Sequence, residues 1–170
     1  MSQREQIEVD ILCVGAGLAS LSAALRLLRG ARDAGLARPR VLIVEKGATV
    51  GAHVLSGGVV EPGPLQKLLT AEELAALPSS TRVRKERFYW LTRRRGWKLP
   101  MTPPPMKARG ALLLSLSQLT AWLGERVEEA GGEIYTGLAA GSLIRQDGRV
   151  AGVRLVDRGA DREGRPGPSF

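Results

Sequence analysis

Apolar and polar positions change period several times along the chain, and each change marks an element. Ile7 to Val14 (IEVDILCV) ends in a continuous apolar run, the pattern of a parallel strand buried on both faces. Gly15-Ala16-Gly17 interrupts that run. From Leu18 to about Leu28, Leu21, Ala24, Leu25 and Leu28 recur at three- and four-residue spacing, which predicts a helix. Gly30 to Arg40, rich in Gly, Ala and Arg, reads as a loop, and Val41 to Glu45 (VLIVE) as a second short buried strand. Strand, glycine turn, helix and strand in this order make a βαβ unit.

Farther along, the pattern is less regular. Lys46 to Gly63 is a glycine-rich excursion, and Thr70-Ala71-Glu72-Glu73 is the capping box of a short helix ending near Pro78. Arg82 to Thr92 alternates in part and is rich in aromatics. With the turn at Arg94-Arg95-Gly96 and the run Trp97 to Leu99 it predicts a hairpin, stopped by the prolines between 100 and 105. Ser117 is placed to cap a helix from Gln118 to Ala130 that buries Leu119, Trp122, Leu123 and Val127, with Gly131 as its stop. Glu133 to Thr136 predicts a third strand. Leu143 to Arg145 and Val150 to Val156 flank Asp147-Gly148, a strong hairpin signal. The expected fold is α/β: a Rossmann-like βαβ core with a three-stranded parallel sheet, a β-hairpin excursion and a crossover β-hairpin, forming an incomplete domain. It occupies residues 1–157 with an excursion at 64–110, and residues 158–170 form a flexible tail of charged residues, Gly and Pro.

The chemistry-bearing pattern is Val14-Gly15-Ala16-Gly17-Leu18-Ala19-Ser20. Gly15 permits the tight turn out of the strand, and Gly17 lets the backbone approach a pyrophosphate. The helix then aims its first N–H groups, Ala19 and Ser20 among them, and its positive dipole end at that anion. The third fingerprint position, normally Gly or Ala, is Ser20, a slightly larger residue. Glu45 closes the second strand where an acid accepts ribose hydroxyls. It lies 28 residues beyond Gly17, against a usual separation of about 20, and the loop at 30–40 accounts for the excess. An acid there disfavours a phosphorylated ribose, leaving FAD and NAD. The excursion Glu45-Lys46-Gly47 to Val50-Gly51-Ala52-His53-Val54-Leu55-Ser56-Gly57-Gly58 favours FAD, since so many glycines offer backbone N–H groups to an extended cofactor.

Charge and cysteine content narrow the function classes. The net charge of +8 is concentrated: Arg82, Arg84, Lys85, Arg87, Arg93, Arg94, Arg95, Lys98, Lys107 and Arg109 face one acid, Glu86, in the same segment. No nucleic-acid motif accompanies them. A solvated hairpin accounts for the segment, and attraction to an anionic membrane surface or an acidic protein is the functional alternative. A single cysteine, Cys13, excludes a disulfide framework or an iron–sulfur site built from this chain's thiolates. It reads as a small core residue in a reducing, intracellular setting. The polar stretch Met1 to Val9 fits neither a secretory signal nor a transit peptide, and no run of about 20 apolar residues spans a membrane.

Three segments, VDILCVGAGLASLSAALRL, VLIVEKGATVGAHVLSGGVVEPG and LSLSQLTAWLGERVEEAGGEIYTGLAAGSLI, resemble the amino-terminal part of the electron transfer flavoprotein–ubiquinone oxidoreductases. The GAHVLSG loop is the most discriminating piece. The resemblance implies an FAD-dependent oxidoreductase passing electrons from reduced electron transfer flavoprotein to ubiquinone, peripherally associated with a membrane. It implies cofactor contacts from Gly15, Ala16, Gly17, Ala19, Ser20, Glu45, Lys46, Gly51, His53, Ser56 and Gly57, with the Gly51 to Gly57 loop near the isoalloxazine. His53, the single histidine, then has a positioning or packing role, because electron transfer requires no protein base. Ser115 stands where many flavoproteins carry an arginine near the flavin. The quinone site and the cysteines of a 4Fe–4S cluster belong to a later portion of that family absent from this chain. A non-catalytic truncated or split FAD-binding fragment, or a relative of the geranylgeranyl reductases, is the alternative.

Overall fold

The computed structural model describes residues 5–55 and 57–156; Ser56 and the tail expected at 158–170 lie outside them. In chain order the elements are β1 (Ile11–Val14), α1 (Leu18–Asp33), β2 (Val41–Val44), β3 (Gly58–Val60), α2 (Pro62–Leu68), α3 (Ala71–Ala75), β4 (Thr81–Arg82), β5 (Tyr89–Leu91), β6 (Gly96–Lys98), β7 (Leu112–Leu114), α4 (Leu116–Glu129), β8 (Glu133–Tyr135), β9 (Ala140–Gln146) and β10 (Arg149–Leu155). They divide into two compact units, one of Met1–Val54 with Thr120–Phe170 and one of Leu55–Leu119.

In the first unit β1, β2 and β8 form the expected parallel sheet, ordered β1-β2-β8. Ile11 pairs with Val41 and Val14 with Val44 on one side of β2, and Ile43 pairs with Ile134 on the other. All four residues of the central strand, Val41 to Val44, are buried, each worth about 1.5–3 kcal/mol relative to exposure. Leu21, Ala24, Leu25 and Leu28 of α1 and Leu123 and Val127 of α4 complete this core. β1 is only half-buried and Val14 is exposed, because β1 lies at the sheet edge. Cys13, on β1, is also half-buried, and desolvation pushes its thiol up.

Several boundaries differ from expectation for identifiable reasons. The first strand begins at Ile11 rather than Ile7, where its ladder with Val41 starts; just before it, Asp10 accepts the Arg40 N–H at 2.7 Å. α1 runs past Gly30 to Asp33 and ends in a Schellman motif, with Leu36 N–H on the Ala31 carbonyl and Gly35, at φ 64°, on that of Arg32. α4 starts at Leu116, and it is Ser115, not Ser117, whose hydroxyl accepts the Gln118 N–H. Gly131, at φ 91°, ends α4 in the same motif, its N–H on Glu128 and that of Gly132 on Val127. Trp122 is half-buried with the Arg126 guanidinium 5.3 Å above its ring. β9 and β10 form the antiparallel hairpin around Asp147 and Gly148, whose φ values of 49° and 76° suit a type I′ turn.

The second unit holds two small antiparallel sheets, β3-β7-β4 and β5-β6. Its core is Leu65, Leu69, Leu77, Ala111, Leu112 and Leu114. The Thr70 box closes reciprocally, its hydroxyl accepting from Glu73 N–H while Glu73 accepts from Thr70 N–H. The first hairpin arm is shorter than expected: Arg82 pairs with Leu112, and only Tyr89–Leu91 pairs with Gly96–Lys98.

Candidate functional site

The glycine turn follows directly from the sheet. The Gly15 N–H donates to the Val44 carbonyl at 2.7 Å, carrying the β1–β2 ladder one step past β1. Gly15 then turns at φ 93°, a conformation that side chains disfavour, and delivers the buried Ala16 to the start of α1. Gly17 is different. Its φ of −84° and ψ of 170° suit any residue, and a Cβ there would meet nothing within 4 Å. Neither backbone strain nor internal packing calls for glycine at 17, and its bare Cα leaves open space in front of the helix. α1 has no side-chain cap and no acid in its first turn, so its first N–H groups and positive end are available to an external anion. Ala19, exposed, and Ser20, half-buried, lie in that turn. This cradle fits a pyrophosphate.

Glu45 stands at the other side of the turn. Its backbone is clamped to the β8 end, donating to the Tyr135 carbonyl at 2.9 Å and accepting from Leu138 at 2.8 Å. Its carboxylate accepts the Ala16 N–H on Oε2 at 2.8 Å and the Gly47 N–H on Oε1 at 2.7 Å. Burial raises the carboxyl's pKa, but the bonds from Gly47 and Ala16, helped by the charges of His53 and Lys46, outweigh it and hold the group below its ordinary value. An ionised carboxylate has about four acceptor positions, so two remain for other donors.

The excursion brings His53 back to this acid, its Nδ1 3.9 Å from Glu45 Oε1. Gly51, at φ 85°, makes the turn that carries it, with Val54 N–H on the Gly51 carbonyl. Val50 packs where a Cβ on Gly124 of α4 would lie 3.2 Å from its Cγ1. The first unit therefore gathers Gly15, Ala16, Gly17, Glu45 and His53, with Lys46 exposed beside them. Gly57, at φ 88°, falls in the second unit. Ser56 lies outside the described residues. Gly47, which the sequence reading did not single out, belongs to the group as a backbone donor; its position two residues after a strand-end acid was the available signal. Among the described residues no cluster of His, Cys, Asp and Glu is arranged to hold a metal, and no helix is long and apolar enough to cross a membrane.

No protein-family model matches the chain. Among curated proteins it is 42% identical over 168 residues to the electron transfer flavoprotein–ubiquinone oxidoreductase of Pseudomonas aeruginosa, covering 96% of this chain and 30% of that protein. It is 38% identical over 167 residues to the human mitochondrial protein of that name, covering 96% of this chain and 27% of the relative. Solved structures share the fold. A geranylgeranyl bacteriochlorophyll reductase-like protein from Thermoplasma acidophilum matches 88% of this chain and 35% of its own length, at TM-score 0.59 and 18% identity. Aklavinone-11 hydroxylase, solved with FAD and aklavinone, matches 91% of this chain and 31% of its own, at TM-score 0.61 and 25% identity. The Rossmann-like α/β fold is common to them, as the sequence predicts. Over nearly its whole length, then, the chain is homologous to electron transfer flavoprotein–ubiquinone oxidoreductase, and it spans 26–30% of the length of those relatives.

Proposed function

We propose that the chain supplies the dinucleotide-binding part of an FAD-dependent oxidoreductase that passes electrons from reduced electron transfer flavoprotein to ubiquinone. The observation that carries the proposal is the meeting of Glu45 with the Gly15–Gly17 turn through the Ala16 N–H. A strand-end carboxylate beside a glycine turn supports the reading, because an FAD adenosine end requires a ribose acceptor next to a pyrophosphate cradle. Gly15, Ala16, Gly17, Ala19 and Ser20 would hold the pyrophosphate and Glu45 the ribose hydroxyls, with Lys46, Gly51, His53, Ser56 and Gly57 along the remainder of the cofactor. Bound FAD would supply the redox chemistry, and the residues named bind and orient it. The 4Fe–4S cluster of this reading is not built by this chain, whose one cysteine is Cys13. Sequence homology to proteins named for electron transfer flavoprotein and ubiquinone supports the choice of donor and acceptor.

The test is the absorption spectrum of the purified chain after incubation with FAD and removal of free cofactor. A flavin band near one equivalent is the expected result. A colourless protein would mean that the half-site is insufficient, favouring the alternative of a non-catalytic fragment. Quinone reduction by a chain extended to the length of these relatives, given reduced electron transfer flavoprotein, tests the electron path.

Attachment to an anionic membrane surface is part of the same reading, and the β5–β6 hairpin is the element that favours it. Trp90 pairs with Trp97 across the hairpin, and both are more than half exposed. Thr92 and Arg95 close its turn through the Thr92 N–H on the Arg95 carbonyl at 2.8 Å, which leaves Arg93 and Arg94 at the tip. Exposed indoles beside a cluster of arginines are the composition of a membrane-interface anchor.

A further inference from the structure

The contact between His53 and Glu45 goes beyond what a dinucleotide fingerprint requires. A Cβ added to Gly47 would lie 3.1 Å from Glu45 Oε1 and 3.2 and 3.3 Å from His53 Nδ1 and Cε1. The imidazole and the carboxylate thus share the space that a side chain at 47 would fill. Gly47 does not have a positive φ, so glycine is needed there for that space rather than for backbone freedom. The His53 Nδ1 to Oε1 distance of 3.9 Å is an ion-pair separation, too long for a hydrogen bond.

Other charges lie on the neighbouring elements. Lys46 is exposed beside Glu45, and the first turn of α1 carries no acid. On β8, Glu133 is engaged by Arg40 and Tyr135, and on α4 Glu125 and Glu129 face Arg126. Against the imidazole itself stands the Glu45 carboxylate, 3.9 Å from Nδ1.

We propose that His53 is a positioning residue for Glu45 whose protonation sets how much of that carboxylate is free for a ribose diol. The inference rests on the FAD reading. With Ala16 and Gly47 already bonded to the carboxylate, about two acceptor positions remain, matching the two hydroxyls of an adenosine ribose. A neutral imidazole at 3.9 Å leaves them open. An imidazolium is drawn onto Oε1, donates to it and withdraws one.

The experiment has two arms. In the first, FAD is titrated into the native chain and into His53→Gln at pH values between about 7.5 and 5.5. The native affinity falls about two- to fivefold on acidification, the size of coupling expected of an exposed ion pair, while the affinity of His53→Gln, at whatever level it stands at the upper pH, does not change with pH. Equal pH dependence in both proteins, or none in the native chain, overturns the proposal. In the second arm the cofactor-free chain is studied by proton NMR, where a single histidine gives one C2-proton signal. At the lower pH its Overhauser contact to the Gly47 α-protons is present in the native chain and weakened in Glu45→Gln. An unchanged contact means that the ring is held independently of the carboxylate, and the proposal fails. Failure to bind FAD at any pH means that the half-site of the proposed function is insufficient in this chain, while the second arm still decides whether His53 and Glu45 are coupled.

Discussion

The Glu45 carboxylate accepts the backbone N–H of Ala16 at 2.8 Å, joining the end of the second strand to the middle of the glycine turn across 29 residues of chain. One group therefore holds the turn in shape and presents an acceptor beside it. Glu45→Gln preserves the volume and removes the charge. Hydrogen bonds to charged groups are worth about 1.5–3 kcal/mol, so FAD affinity should fall on the order of tenfold to a hundredfold with the circular dichroism unchanged. Fluorescence titration with FAD measures it. Retention of native affinity by a folded Glu45→Gln chain would remove this residue from the site.

The same carboxylate gives the fold a defined acid response. Its pKa is held below the ordinary 4.5: burial alone would raise it, but the N–H donors of Gly47 and Ala16 prevail. A depressed folded-state value means that the stabilisation is fully present above the unfolded-state value near 4.5. It is then lost as pH falls through the lower folded-state value. Thermal melts from neutral pH downward should show stability declining below about pH 4.5, with a shallower decline in Glu45→Gln. Glu133, depressed first by its hydrogen bond from Arg40, contributes in the same direction, so the variant should flatten the curve without abolishing its slope.

Gly15 and Gly17 separate folding from binding. An alanine at 15 must adopt φ near 93°, a strain of about 1–3 kcal/mol, so Gly15→Ala should lower Tm. An alanine at 17 meets no atom within 4 Å and has an unstrained backbone; its cost is the change of N-cap residue, under about 1 kcal/mol. Its methyl nevertheless projects into the space assigned to the pyrophosphate. Gly17→Ala should therefore melt close to native and bind FAD at least tenfold more weakly, a pairing that thermal melts and FAD titration on one sample would reveal.

Elements whose signal is local and periodic were legible in the sequence. The alternation of apolar positions locates α1, the continuous run VLIV locates β2, and the capping box and Asp147-Gly148 locate α3 and the last hairpin. The small sheet of β3, β7 and β4 was not legible, because strands of two or three residues show no period. α2 begins Pro62-Gly63-Pro64, a composition that signals a loop but is tolerated in a first helical turn, where N–H groups lack partners anyway. Glu45 was found because strand ends are recognisable. The approach of His53 to it was not, because it depends on a turn at Gly51 and on a bare Cα at Gly47.

The misassigned cap is itself a test. Ser115 lies 3.4 Å from the Gln118 N–H through its hydroxyl, which also exchanges a 3.0 Å hydrogen bond with that of Ser117. Ser115→Ala should cost about 1 kcal/mol, the usual loss on removing an N-cap side chain, whereas Ser117→Ala removes only the hydroxyl partner and should cost less. Denaturant unfolding of the two variants orders them, and the reverse order would restore Ser117 as the cap.

The hairpin supports a prediction of a different kind, since its exposed residues contribute little to the core. Two-stranded hairpins are marginal by themselves in water, yet β5–β6 exposes Tyr89, Trp90, Leu91 and Trp97, which makes contact with an apolar phase favourable. The arginines near its tip add about 1 kcal/mol each at an anionic surface and nothing specific at a neutral one. Replacing Arg93, Arg94 and Arg95 together with glutamine should therefore reduce binding to phosphatidylglycerol-containing vesicles by an order of magnitude or more. Binding should recover at low salt less than the native chain's does, because fewer charges remain to be unscreened. Trp90→Ala with Trp97→Ala should weaken binding with little change in salt dependence. Co-sedimentation with vesicles of phosphatidylcholine alone and with added phosphatidylglycerol measures both effects. A native chain that sediments equally with both vesicle types would remove the arginines from the attachment, and one that sediments with neither would return the hairpin to the status of a solvated face.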